Sequence, residues 1–259
     1  MYGADQIVRV TPLGQAGFRL SFGEVTLYID PYLSNQVEIA EGPDFRRQVP
    51  VWKAANQVDD ADWVLVTHTH GDHCDLATLV PMSLASTNAR FAGPANVRAL
   101  LTANGIPNVR IFPAADNWLS LGPDLRIRPM PAAHPEVEFD EQGDWCCVGY
   151  LFEYRGRRIY HSGDTSLNAT IIESVKAYTP IDVAFLPVNE RNHYRDAQGI
   201  IGNMSIREAF QFASDLGVKS LVPMHWDMFL PNSVYAEEID AVSRNIKPPF
   251  QVLMNPSCL

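Results

Sequence analysis

The run VLVTHTHGDHCDLATL, residues 64–79, constrains this chain more than any other stretch. A short apolar segment leads straight into His68, His70, Asp72 and His73. His68 and His70 are two apart in what reads as the extended exit of a strand, and period-two geometry points both side chains the same way. Gly71 permits a sharp turn, which carries Asp72 and His73 round to the same hollow as a helix begins. Imidazoles with a hard carboxylate suit Zn²⁺, Mn²⁺ or Fe²⁺, and an all-thiolate structural site is excluded. The alternative is a polar loop whose histidines only hydrogen-bond, and the density of donors weighs against it.

Three further donors occupy similar places. His134 ends LRIRPMPAAH, Asp164 lies within RRIYHSGDT, and His225 lies within SLVPMHWDMF. Each sits just past an apolar strand, where loop-borne ligands collect if the strands end on one face. Singly, each is unconvincing, since a lone histidine is more often an ordinary hydrogen-bonded residue. The shared placement is what makes them a set with residues 68–73.

Length and composition say what can surround such a site. The chain has 259 residues, 46% apolar and 19% charged, enough to bury a substantial core and unlike a disordered chain. Its formal charge of −10 opposes binding to nucleic acid or to anionic membranes. No apolar run approaches the ~20 residues of a membrane span, so no membrane insertion is expected. The opening MYGADQIVRVTPLG lacks the basic-then-apolar pattern of a leader. Cys74, Cys146, Cys147 and Cys258 do not form a disulfide scaffold. A cytoplasmic protein is therefore expected.

Glycine-punctuated runs at Ile7–Val10, Phe18–Phe22 and Val25–Ile29 predict a β-meander. Residues 34–60 are polar, contain Pro43 and Pro50, and read as an irregular, lid-like excursion. Further strands are expected at Trp63–Val66, Arg110–Phe112, Trp118–Leu121, Leu125–Pro129, Val148–Tyr154, Arg157–His161, Val183–Pro187 and Ser220–Met224. Helices are expected at Asp75–Leu84, Pro94–Asn104, Leu167–Ala177, Ser205–Leu216 and Val234–Asn245. Two strand-rich blocks, each followed by helices, predict one α/β domain over residues 1–259, with two sheets sandwiched between helices.

His68-Thr69-His70-Gly71-Asp72-His73, followed in order by His134, Asp164 and His225, resembles the metallo-β-lactamase-fold hydrolases. More narrowly, LGQAGFRLSF, LYIDPYLS, THTHGDHCD, YHSGDT, IDVAFLPV, NMSIREAF and VPMHWDMF look like the UlaG branch, named for L-ascorbate-6-phosphate lactonase. Glyoxalase II-like enzymes match less well, because Cys74 and Asp75 stand where they carry paired glycines. Flavodiiron oxidoreductases carry Glu at the position of His70 and add a flavin domain.

The resemblance implies a four-layer αββα sandwich holding two divalent ions, zinc or manganese, with iron also suitable. His68, His70 and His134 would hold one ion, Asp72, His73 and His225 the other, and Asp164 would bridge. It also implies a hydroxide shared by the ions, with Asp72 serving both as ligand and as the carboxylate that moves the proton. The expected activity is cleavage of a small anionic ester or lactone. Alternatives are a phosphodiesterase like N-acyl-phosphatidylethanolamine phospholipase D, which this branch also resembles, or a binding protein on the same fold without turnover. UlaG-like proteins further suggest a homo-oligomer.

Other residues admit two readings. His161 either orients a ligand or hydrogen-bonds within a turn. Asp30 either caps the turn before Tyr32 or supports the site from behind. Arg191 and His193, with Arg195, lie in a loop that would bind a phosphate or carboxylate, or else carry solvated charge. Trp226, Phe229 and Tyr32 line a substrate cleft or pack the core. Cys74 reads as a small buried residue rather than a ligand.

Overall fold

Alternation along single strands sets the layers of the computed structural model, which describes residues 7–259. The first six positions, part of the segment read for a leader, lie outside the described residues. In the strand Trp63–Leu65, Trp63 and Leu65 point into a core shared by two sheets. Val64 and the following Val66 point the other way, against Leu79, Met82, Val97 and Leu101 of the covering helices. In Val183–Pro187, Val183 and Phe185 likewise join the central core, whereas Ala184 and Leu186 meet Ile171, Val175, Ile206 and Phe210. Strands apolar on both faces have to be covered on both faces, and the result is the αββα sandwich.

The first sheet runs in sequence order: β1 (Val8–Gly14), β2 (Gly17–Phe22), β3 (Val25–Ile29), β4 (Trp63–Leu65), β5 (Arg90–Gly93) and β6 (Ile111–Pro113). Its first three strands form an antiparallel meander, and β3 to β6 are parallel. The second sheet repeats the plan. β7 (Leu119–Gly122), β8 (Leu125–Pro131), β9 (Val148–Tyr154) and β10 (Arg157–His161) are antiparallel neighbours. β11 (Val183–Pro187), β12 (Ser220–Met224) and β13 (Gln251–Val252) then extend it in parallel.

Helices α2 (Leu76–Ala85) and α3 (Ala95–Ala103) cover the first sheet. The second is covered by α4 (Ala169–Lys176), α6 (Ile206–Asp215) and α7 (Ala236–Ile246). Two short helices, α1 (Gln36–Glu41) and α5 (His193–Asp196), lie in connecting segments. Between the sheets, Phe18 meets Phe185 edge-on at 4.7 Å and Phe22 stacks on Phe152 at 5.6 Å. Burying each such ring contributes roughly 1.5–3 kcal/mol.

Two expectations are revised. The excursion at 34–60 is not wholly irregular, since it contains α1. Arg90–Gly93 is a strand that the sequence reading passed over, because RFAG is short and runs straight into Pro94. No helix among the described residues is long and apolar enough to cross a membrane.

Candidate metal centre

Strand ends from both sheets converge on one edge of the sandwich. Past β4 the chain curls instead of continuing extended, and the amides of His73 and Cys74 both donate to His70 O, at 3.0 and 2.7 Å. The turn was anticipated, but Gly71 does not adopt the left-handed backbone that would demand glycine. A Cβ there would meet only Val37 Cγ2, at an ordinary contact distance of 3.7 Å, so neither backbone nor space requires glycine at this edge of the cleft. Asp75 then caps α2 by accepting from Ala77 N at 3.1 Å. On the second sheet, Gly163 turns the chain towards Asp164 with φ +61°, and a Cβ there would lie 2.6 Å from Val148 O.

The seven expected donors come together. Ligand atoms of His68, His70 and His134 lie within 4.8 Å of one another, as do those of His68, His73 and Asp164, and those of Asp72, His73 and His225. Asp164 touches both halves: Oδ2 is 3.0 Å from His225 Nε2 and 3.8 Å from His134 Nε2, and Oδ1 is 3.5 Å from His73 Nε2. His70 and Asp72 face the opening, and the other five are buried.

Backing hydrogen bonds orient the imidazoles. His73 Nδ1 donates to Asp30 Oδ2 at 2.7 Å, which turns Nε2 towards the carboxylates. Asp30 also accepts from Thr67 N at 2.8 Å and from Thr67 Oγ1 at 2.6 Å. With its proton committed to Asp30, Thr67 Oγ1 accepts from His68 Nδ1 at 3.0 Å, leaving His68 Nε2 free to face the centre. His161 is not among the clustered donors. Its Nε2 donates to Ala16 O at 3.0 Å, and its Nδ1 accepts from Gly163 N at 3.2 Å. Asp30 thus lies behind the cluster, bonded to His73 and Thr67, and His161 bonds backbone atoms beside Asp164.

Whether an ion fits is decided by the buried polar atoms. His68 Nε2 is buried, faces the centre and has no hydrogen-bond partner, while the buried His73 Nε2 and Asp164 Oδ1 stand 3.5 Å apart without a formed hydrogen bond. Such atoms are costly to leave unpaired, and five imidazoles with two carboxylates form a donor set for Zn²⁺, Mn²⁺ or Fe²⁺. The residues fit a divalent metal.

The electrostatics split the histidines. Burial opposes charge on His225 and His73, but carboxylates win: Asp164 and Asp72 push His225 up to about 9, and Asp164, Asp72 and Asp30 hold His73 well above the usual imidazole range. Burial dominates at the others, pulling His134 down to about 4, His68 well below its usual value and His161 below its own. Burial likewise opposes charge on Asp72 and Asp164, yet His73 and His225 keep both carboxyls well below the ordinary carboxylate range.

Over the donors opens a cleft of about 420 Å³, walled by Val37, Ala40, Phe45, Ile200, Ile201 and Phe229. Glu41, Gln36, Gln198 and Asn232 add polar groups, and no lysine or arginine lines it among the described residues. Phe229 is thus the one of the three expected aromatics that reaches the cleft. Tyr32 is buried against Phe229 and Met228, and Trp226 packs against the core between the second sheet and its helices. Arg191 and His193 are not brought there either. Arg191 lies beside a separate hollow and pairs with Asp196 at 3.3 Å, while His193 begins α5. Arg195 spends its guanidinium on backbone carbonyls of Asn189, Glu190 and Ser233. Cys74 is buried away from the donor groups, its thiol pushed up to about 12 by burial.

Besides Thr67, a second contributor is not legible in the sequence. Gln15, in the two-residue connection between β1 and β2, places Nε2 2.6 Å from Asp72 Oδ2.

The family model described as Beta-lactamase superfamily domain matches residues 26–226, a span holding all seven donors. The chain belongs to the β-lactamase superfamily. A UPF0173 metal-dependent hydrolase of Pyrococcus furiosus is 30% identical to this superfamily member over 238 residues, 90% of each chain. Two solved structures share the fold. Igni18, a metallo hydrolase from Ignicoccus hospitalis, has a TM-score of 0.71 at 20% identity, over 98% of this chain and 97% of the other. An isothiocyanate hydrolase from Delia radicum gut bacteria has a TM-score of 0.70 at 18% identity, over 97% and 96%.

Proposed function

We propose that this β-lactamase superfamily member is a metal-dependent hydrolase of small esters or lactones, working at a two-ion centre. The supporting observation is Asp164, a buried carboxylate within reach of donors from both halves of the cluster. In this reading His68, His70 and His134 would hold one ion, Asp72, His73 and His225 the other, and Asp164 would serve both. Bound divalent ions supply a polarised carbonyl and a water acidic enough to attack near neutral pH. The P. furiosus relative's name accords with metal-dependent hydrolysis, and the motifs' resemblance to the UlaG branch favours ester and lactone bonds.

The protein's own residues do the rest. Asp72 faces the cleft, where in this reading its carboxylate would accept the proton of the attacking water and hand it to the leaving oxygen. Asp30 and Thr67 keep His73 and His68 in the tautomers that present Nε2 inward. The apolar wall from Val37 to Phe229 receives the non-reacting part of the substrate and limits water. A negative charge on the substrate has to be met at the donor centre itself, since the cleft wall offers no lysine or arginine among the described residues.

Elemental analysis of purified protein beside Asp164→Ala tests this reading. About two ions per chain, reduced in the variant, with turnover of an ester or lactone panel by the loaded protein, supports it. Turnover confined to phosphodiesters moves the chemistry to the phosphodiesterase alternative. Protein that stays empty when supplied with Zn²⁺ and Mn²⁺ overturns it in favour of a binding protein.

A further inference from the structure

Gln15 occupies a backbone position that an ordinary side chain avoids. Its φ is +59°, in the left-handed region, and it is almost fully buried. Among the described residues six non-glycine positions share a positive φ, and three of them, Gln15, Asp30 and His225, converge on the donor cluster. Backbone strain of this kind costs about 1–3 kcal/mol and persists where surrounding structure enforces it.

The enforcement is visible on both sides of the connection. Gln15 N donates to Asp227 Oδ1 at 2.8 Å, His225 N donates to Gln15 O at 2.8 Å, and His161 Nε2 holds Ala16 O. The tip of a hairpin from the first sheet is thereby pinned to the ends of β10 and β12 in the second. The carboxamide it delivers lies 2.6 Å from Asp72 Oδ2 and 3.1 Å from His225 Nε2. An ionised carboxylate only accepts, so the amide nitrogen is the end that faces Asp72. The other polar neighbours of that oxygen, His73 Nε2 and His225 Nε2, stand off at 3.5 Å. Asp72 is also partly exposed, unlike Asp164, so it lacks the packing that would hold it.

Resting on the two-ion reading, we propose that Gln15 is the positioning residue of the Asp72/His73/His225 half of the centre, its carboxamide fixing the Asp72 carboxylate beside His225. A neutral amide suits this task. It holds the carboxylate by hydrogen bonding without the charge of a lysine or arginine, which would repel a cation. Outer partners of this kind change metal affinity by about 10- to 100-fold when removed.

The test is stepwise Co²⁺ titration of the stripped full-length protein, followed by absorption, for wild type, Q15M and Q15G. Met keeps the length of the side chain and pays the same backbone strain but cannot donate. Gly removes the side chain and relieves the strain. Thermal melting checks that each variant folds. The expected result is that both variants weaken one of two binding steps by about 10- to 100-fold and leave the other within about 2-fold. Wild-type titration in both variants, equal weakening of both steps, or weakening in only one variant overturns the assignment to the carboxamide. If wild type itself takes up a single ion, the two-ion reading fails separately. Gln15 is then judged on that ion: weaker binding in both variants supports a positioning role, and unchanged binding overturns it.

Discussion

Asp30 accepts three hydrogen bonds with two oxygens, from Thr67 N, Thr67 Oγ1 and His73 Nδ1, and it is fully buried. Asp30→Asn removes the anionic acceptor of His73, so metal affinity is expected to fall about 10- to 100-fold by metal titration. Asp30→Ala leaves buried donors unpaired at about 1–3 kcal/mol each, read by urea denaturation. The histidines also predict an optimum in the stability of EDTA-treated protein. His225 at about 9 and His73, both raised, stabilise the fold fully below the unfolded value near 6.5 and lose that contribution as pH rises towards 9. His134 at about 4, with His68 and His161, is lowered, so its contribution is present above 6.5 and lost as pH falls towards 4. Melting temperature should therefore peak near pH 6.5 and fall on both sides, whereas a monotonic profile from pH 5 to 9 would refute this balance. The ligand-type residues were legible because metal chemistry restricts them to few side chains and because each follows an apolar strand. Gln15 was not. Within LGQAG it looks like any turn residue, and its partners Asp72 and His225 are 57 and 210 positions away. Arg191 shows the complementary limit: its loop follows a strand end as the donors do, but the chain turns it towards Asp196, in keeping with the solvated-charge reading.

At the scale of elements, alternation and apolar runs marked most strands and the long helices to within a few residues. They failed where an element is too short to show a period, as in β5, or is stabilised by its neighbours rather than its own pattern, as in α1, which has no fully buried residue. That helix nevertheless matters, because it contributes Gln36, Val37, Ala40 and Glu41 to the cleft wall. Among the described residues Glu41 is the one charged side chain in that wall apart from the donor cluster. Exchanging it for lysine reverses a charge beside the path of an anionic substrate. Glu41→Lys should raise kcat/KM for an anionic ester over its neutral analogue by about 3- to 10-fold, an advantage that shrinks as salt is added. An unchanged ratio at low salt would mean that α1 does not face the bound substrate. Helix α6 carries its own signature: Ser205 and Glu208 form a reciprocal cap. Ser205→Ala is expected to cost ~1 kcal/mol in urea denaturation, with little effect on metal uptake because the cap lies outside the cleft lining.

Over the whole molecule, the donors are divided between the sheets. His68, His70, Asp72 and His73 follow β4 of the first sheet, whereas His134, Asp164 and His225 follow β8, β10 and β12 of the second. Away from that edge the sheets are joined by apolar packing such as Phe18 on Phe185 and Phe22 on Phe152. At that edge they are joined by polar groups, several of them buried without a partner. A ligand that binds these groups in the folded protein but not in the unfolded chain stabilises the fold by mass action, about 2.7 kcal/mol at a hundred times its dissociation constant. Because the groups belong to both sheets, that free energy acts on their association and not on one sheet alone. Calorimetry should accordingly show one transition that moves upward as a whole when Zn²⁺ or Mn²⁺ is restored to stripped protein. In Asp164→Ala the upward shift should be smaller, since the variant loses the carboxylate that reaches both halves of the cluster. Two transitions of which only one responds to metal would show instead that the ions stabilise one sheet locally, and would sink the claim that the centre clasps the sandwich together.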